Sequence, residues 1–151
     1  MSKLVARYKA AVVIMHMRGN PRNMQEHPQY QNLIDEIIGY LDRSIELAVS
    51  SGISREKIII DPGIGFGKTV AHNLEILKRL GEFRALGRPI LVGTSRKSFL
   101  GKILKRKPEG RIFGTVSSSL LAVKNGAQMV RTHDVAAVRQ ALEVLAAIEK
   151  T

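Results

Sequence analysis

The chain contains neither cysteine nor tryptophan. The first absence excludes disulfides and thiolate metal sites, and it fits a cytoplasmic setting. The second matters because aromatics of all kinds make up only 5% of the residues, too few to build a base-stacking surface. No apolar run reaches the roughly 20 residues needed to cross a bilayer. The opening segment, Met1 to Arg7, lacks the apolar stretch of a secretory signal.

Positive charge is what the chain has in excess, with a formal net charge of +11. Such a balance attracts nucleic acid, and it equally attracts small anions such as phosphates. The basic residues are scattered, apart from the run Lys102, Lys105, Arg106 and Lys107, which reads as a solvated loop. With so few aromatics, nucleic acid is the poorer fit of the two. At 151 residues and 44% hydrophobic, the chain reads as one globular domain, residues 1–151, with a modest core.

The hydrophobic pattern alternates strand and helix four times. Residues 11–17, 57–60, 89–92 and 128–131 are short apolar runs that predict strands. Residues 32–50 predict an amphipathic helix with Leu33, Ile37, Leu41, Ile45 and Ala48 on one stripe. Residues 70–86 predict a helix carrying Leu74, Leu77, Leu80 and Phe83. Residues 114–125 predict another, and residues 135–149 a last one with Val138, Leu142, Leu145 and Ile148 inward. Residues 2–9 read as the end of a helix. Continuous apolar strands are those covered by helices, and repeated βα units imply parallel strands with right-handed crossovers.

The segment Asp61-Pro62-Gly63-Ile64-Gly65-Phe66-Gly67-Lys68 follows the second strand. A carboxylate at a strand's carboxyl end, beside a glycine-rich loop, lies where α/β proteins bind ligands. Two familiar motifs are excluded. A Walker loop needs a glycine where Pro62 stands, and a dinucleotide fingerprint needs one where Lys68 stands. Taken alone, the segment is equally a flexible strand-to-helix connection. Other polar residues also follow strands: His16 and Arg18 the first, Ser95, Arg96 and Lys97 the third, Arg131, His133 and Asp134 the fourth. All four clusters therefore share one end of the sheet, which in a TIM-like barrel is the active face.

At these residues the chain resembles the dihydropteroate synthase family, pterin-binding TIM-barrel enzymes of folate synthesis. The resemblance rests on residues 15–21 (MHMRGNP) with Met24-Gln25, and on residues 61–68 with His72-Asn73-Leu74. It continues through residues 93–101 (GTSRKSFLG), Gly114-Thr115, Gly126-Ala127 and residues 131–134 (RTHD). Asn20 stands where the family usually has threonine and Thr132 where it usually has valine. A TIM barrel takes about 250 residues, so the resemblance implies four parallel βα units forming the C-terminal half of a (β/α)8 barrel. The family's asparagine after the first strand, and the aspartate and asparagine that clamp the pterin from the third and fourth, would belong to the other half.

The resemblance also implies the chemistry. A dihydropterin diphosphate condenses with p-aminobenzoate to give dihydropteroate and diphosphate. Asp61, Lys97, Met15 and Gly93 would contact the pterin. Phe66, Pro62, Gly63 and Ser95 would hold p-aminobenzoate. Arg131 and His133 would take the pyrophosphate, and with Lys97 they would be the catalytic groups. Magnesium would come through the substrate pyrophosphate, with no protein ligand in this half. His16, inside an apolar strand, reads as a satisfied core histidine. The chain alone is expected to be poorly active and to associate, either with an N-terminal half or with a second copy that closes an eight-stranded barrel. A non-catalytic binding module or truncated paralogue is the alternative.

Overall fold

A computed structural model describes residues 1–20, 24, 26 and 28–151; Pro21 and Gln25 of the first motif lie outside the described residues. Helix α1 (Ser2–Arg7) precedes strand β1 (Val12–Met15) and helix α2 (Leu33–Ser50). Strand β2 (Ile58–Asp61) leads to α3 (Val70–Lys78), and β3 (Leu91–Val92) leads to α4 (Ser98–Leu104) and α5 (Ile112–Lys124). Strand β4 (Met129–Val130) leads to α6 (Val135–Ile148). β1 pairs with β2 and β3 with β4, both parallel, and a parallel bridge between Ile60 and Ile90 joins the two pairs. The strands therefore follow one another in space in chain order.

Helix α2 shows why the pattern folds this way. Leu33, Ile34, Ile37, Leu41, Ile45 and Ala48 are buried, spaced from Ile34 onward by three or four residues as a 3.6-residue repeat requires. Each such large apolar side chain contributes about 1.5–3 kcal/mol on leaving water. Asp35 and Glu36 in the first turn complement the helix dipole. The core continues through Ile58, Ile60, Ile64, Ile76, Leu80, Phe83, Ile90 and Val92, all 0 or 1% exposed. It thus lies between the parallel strands and the helices.

Three expectations are corrected. The helix predicted over residues 70–86 breaks at Arg79, and Leu80–Leu86 is 3-10 helical. Gly81 weakens an α-helix there, and three residues per turn keep Leu77, Leu80 and Phe83 on one buried side. Leu74, in the α-helical part before the break, is 46% exposed. In α6 only Val138 is fully buried, and Ile148 is 64% exposed because α6 packs mainly on α5 at the edge of the structure. Helix α4 forms where the pattern predicts no element, and it overlaps the start of the basic run that reads as a solvated loop; Phe99 and Leu100 are buried on it. No described helix is long and apolar enough to cross a membrane.

Candidate functional site

Asp61 ends β2 opposite Met15 of β1 and is 3% exposed. The backbone N–H of Gly63 donates to its Oδ1 at 2.7 Å, so the carboxylate caps the turn that follows. Burial raises the Asp61 carboxyl above its usual range, while that hydrogen bond and the charges of Lys97, Arg131 and Lys68 pull it back. The turn needs glycine at its start. Gly63 has φ +73°, and a Cβ there would lie 1.9 Å from the His16 carbonyl oxygen.

The rest of the loop is pinned from below and behind. Asn73, 1% exposed on α3, accepts from Gly65 N–H at 2.6 Å and donates to the Thr69 carbonyl at 2.7 Å. Thr69 and His72 form a reciprocal cap at the start of α3, each side chain accepting from the other's backbone N–H at 3.2 Å. Tyr30 donates its hydroxyl to the Gly67 carbonyl at 2.9 Å. Lys68 is 4% exposed, with Nζ 2.9 Å from His16 Nδ1 and 3.0 Å from the Phe66 carbonyl. Burial lowers its ammonium to about 7 and the His16 ring to about 3. His16 is thus a buried, partnered histidine, as its apolar setting suggested.

The second region follows β3 and β4. Gly93, Ser95, Lys97, Arg131, Thr132 and His133 line a cleft of about 380 Å³. Lys97 links this cleft to Asp61. Its Nζ lies 4.1 Å from the centre of the Phe66 ring and donates to the Ile64 carbonyl. Burial lowers its ammonium to about 8, with Asp61 acting to raise it and Arg131 to lower it. Ser95 holds His133 twice: its Oγ accepts from the His133 backbone N–H at 3.1 Å and lies 3.0 Å from ring Nδ1.

Arg96, between Ser95 and Lys97, has φ +56°, a left-handed conformation uncommon for a side-chain-bearing residue. Four contacts hold it. Its N–H donates to Thr115 Oγ1 at 3.0 Å, and its carbonyl accepts from Arg111 Nη1 at 2.7 Å. Its guanidinium makes a two-pronged contact with the Asp134 carboxylate, Nε to Oδ2 at 3.0 Å. That pair holds the Asp134 carboxyl below its usual range. Behind the loop, Ser118 Oγ lies 2.8 Å from Thr94 Oγ1 and 2.7 Å from the Gly114 carbonyl, in a buried hydroxyl cluster.

Of the residues singled out from sequence, Gly93, Ser95, Lys97, Arg131 and His133 share the cleft. Met15, Asp61, Pro62, Gly63 and Phe66 form the adjoining β1–β2 side, where Pro62 and Gly63 are buried. Arg18 is engaged elsewhere: it pairs with Glu36 at 2.6 Å and stacks over Tyr30 at 4.6 Å. Strand alternation would turn Thr132 away from Arg131 and His133, yet Thr132 borders the same cleft. β4 ends at Val130, so alternation does not extend to residues 131–133. The hydrogen bonds to Ser95 bring His133 in instead. The pairing of Asp134 with Arg96 rather than Arg131 leaves the Arg131 guanidinium outside any salt bridge among the described residues. Lys68, Asn73 and Thr115, which belong to the motifs but carry no assigned role there, and Ser118, which no motif includes, are the supporting residues.

Residues 1–133 match the family described as pterin binding enzyme. The chain is 44% identical over 146 residues to dihydropteroate synthase of Synechocystis sp., spanning 96% of this chain and 50% of that protein. It superimposes on Yersinia pestis dihydropteroate synthase in a sulfonamide drug complex with a TM-score of 0.97 at 38% identity, covering 99% of this chain and 55% of that one. The Xanthomonas albilineans enzyme in complex with 7,8-dihydropteroate matches with a TM-score of 0.92 at 38% identity, covering 99% of this chain and 53–55% of the solved chains from that organism. The chain spans about half the length of the curated relatives it matches. On the extent of these matches, the chain belongs to the pterin-binding enzyme family.

Proposed function

We propose that this chain is the C-terminal half of a (β/α)8-barrel dihydropteroate synthase, which joins 6-hydroxymethyl-7,8-dihydropterin diphosphate to p-aminobenzoate. One observation carries the reading. A buried carboxylate, Asp61, and a cationic cleft bearing Lys97, Arg131 and His133 meet at the carboxyl ends of adjacent parallel strands. The Xanthomonas albilineans relative, solved with 7,8-dihydropteroate, supports the choice of substrates.

In this reading Asp61 accepts N–H groups of the amino-pyrimidinone edge, beside Met15 and Gly93. A charged acceptor makes the stronger bond. Lys97 donates to the pterin carbonyl. Arg131 and His133 stabilise the diphosphate as the methylene carbon–oxygen bond breaks, the moment at which negative charge grows on the leaving oxygens. The arylamine nitrogen attacks the methylene carbon and then loses a proton. Phe66, Pro62 and Gly63 flank the p-aminobenzoate ring, and Ser95 meets its carboxylate while also positioning His133. In this reading magnesium arrives with the substrate diphosphate, and Arg131 and His133 meet the diphosphate oxygens.

The setting is cytoplasmic and the partners are small molecules, with an N-terminal half or a second copy closing the barrel at β1 and β4. The test is turnover from the two substrates, with and without a separately supplied N-terminal half. Little or no dihydropteroate is expected from the chain alone, and clear turnover with the complement. Equal turnover in both would overturn the half-site. No turnover with a folded, associated complement would overturn the synthase and leave a non-catalytic binding module.

A further inference from the structure

A lysine is the costliest common side chain to bury, because its compact charge is strongly hydrated. Lys68 is nevertheless 4% exposed. Its neighbours show what it does. It bridges two chain segments, with Nζ 2.9 Å from His16 Nδ1 just past β1 and 3.0 Å from the Phe66 carbonyl in the loop after β2. With the His16 ring neutral, Nδ1 accepts from the ammonium. A Cβ built on Gly63 would sit 3.4 Å from Lys68 Nζ, and Gly63 is the residue whose N–H holds Asp61. The ammonium therefore lies behind the turn that aims the carboxylate.

We propose that Lys68 is a positioning residue for the pterin-edge acceptor: its buried ammonium ties the glycine loop to the end of β1 and adds a buried countercharge to those of Lys97 and Arg131 around Asp61. This rests on the pterin role proposed for Asp61. The other groups acting on the pair are known. Lys97 from the loop after β3 and Arg131 from the segment after β4 also favour the Asp61 anion. His16 and His72 feel the Lys68 charge, and His16 is also influenced by Arg18 and Glu36. Lys97 faces the cleft and is available to substrate, and Arg131 is exposed. Lys68 alone is buried and dedicated to the turn. Burial lowers this ammonium to about 7, which sets an upper pH limit on the support it gives.

The experiment uses the free protein. The Asp61 carboxyl carbon is followed by carbon-13 NMR from pH 3 to 9 in the wild-type chain, Lys68→Met and Lys68→Arg. Lys97 and Arg131 are present in all three. The Asp61 midpoint should move up by roughly one pH unit in Lys68→Met and return toward wild type in Lys68→Arg. An unmoved midpoint in folded Lys68→Met would overturn the proposal. Should Lys68→Met fail to fold, the wild-type protein decides. Loss of the Lys68 proton, followed by nitrogen-15, should produce a second inflection of the Asp61 carbon at the same pH, and a single smooth Asp61 titration would overturn the idea. Neither reading needs ligand or turnover, so a failure of the synthase proposal remains distinguishable from a failure of this one.

Discussion

Asp61 is 3% exposed and held by its own loop, whereas Arg131 and His133, two strands away, are exposed and Arg131 has no salt-bridge partner among the described residues. The two regions differ because the groups they are proposed to meet differ. A heterocycle edge is neutral and directional, so its acceptor must be fixed and dehydrated in advance. A diphosphate carries its own charge and is drawn by exposed cations from a distance. The first region accepts a stability cost in backbone strain and buried charge. The second stays wet and close to cost-free until the anion arrives.

The sharpest way to break this comparison is Gly63→Ala. A methyl group 1.9 Å from a backbone oxygen, at φ +73°, cannot be relieved by a rotamer change. A loss on the order of 3 kcal/mol or more is expected in urea unfolding; a loss below about 0.5 kcal/mol would remove the claim that this region is pre-strained. Next is Asp61→Ala. Binding of 6-hydroxymethylpterin, read by calorimetry, should weaken roughly tenfold to a hundredfold, the worth of a charged hydrogen bond. Arg131→Ala should lower pyrophosphate affinity about tenfold while leaving the unfolding midpoint within about 0.5 kcal/mol. A large stability loss there would make the two regions alike.

The buried lysines also give a pH signature. Lys68 falls from 10.5 to about 7 and Lys97 from 10.5 to about 8 on folding. Across the window above these values the unfolded chain holds the extra protons, so stability rises with pH. Unfolding midpoints from pH 7 to 9 should therefore climb in the wild type and climb less in Lys68→Met, the remainder belonging to Lys97. His16, lowered from 6.5 to about 3, acts at the acid end: its contribution is lost as pH falls from 6.5 toward 3. Asp61, raised by burial, opposes this above 3.8. A flat alkaline profile would show that the lysine ends are more hydrated than their exposure implies. The smallest effect is expected from Arg18→Ala, which should leave pyrophosphate affinity unchanged because Arg18 is committed to Glu36.

How far the sequence could be read follows the same division. Asp61, Lys97, Arg131 and His133 are legible because each follows an apolar run, and parallel βα units place such positions at one end. The supporting roles of Lys68, Asn73, Thr115 and Ser118 are not. Their importance lies in what they touch after folding, and no spacing rule shows that a lysine will be buried against His16. Helix α2 was legible down to its stripe, because both its period and its covering partner belong to this chain. Leu74 and Ile148 obey the same period but have no cover, and periodicity cannot report that. The break in the helix at Arg79 has a trace in the sequence: Leu77, Leu80 and Phe83 are spaced by three residues, the period of a 3-10 turn, and Gly81 falls among them.

The neighbour-to-neighbour order of the four strands reaches beyond the cleft. As the polypeptide leaves the ribosome, each new strand finds its partner already synthesised and waiting. The sheet can grow in the direction of translation, without holding an edge open for a distant segment. A gene divided between two such units would still yield pieces that keep every internal pairing and lose only those at the two edge strands, which makes this architecture tolerant of being cut, duplicated or rejoined.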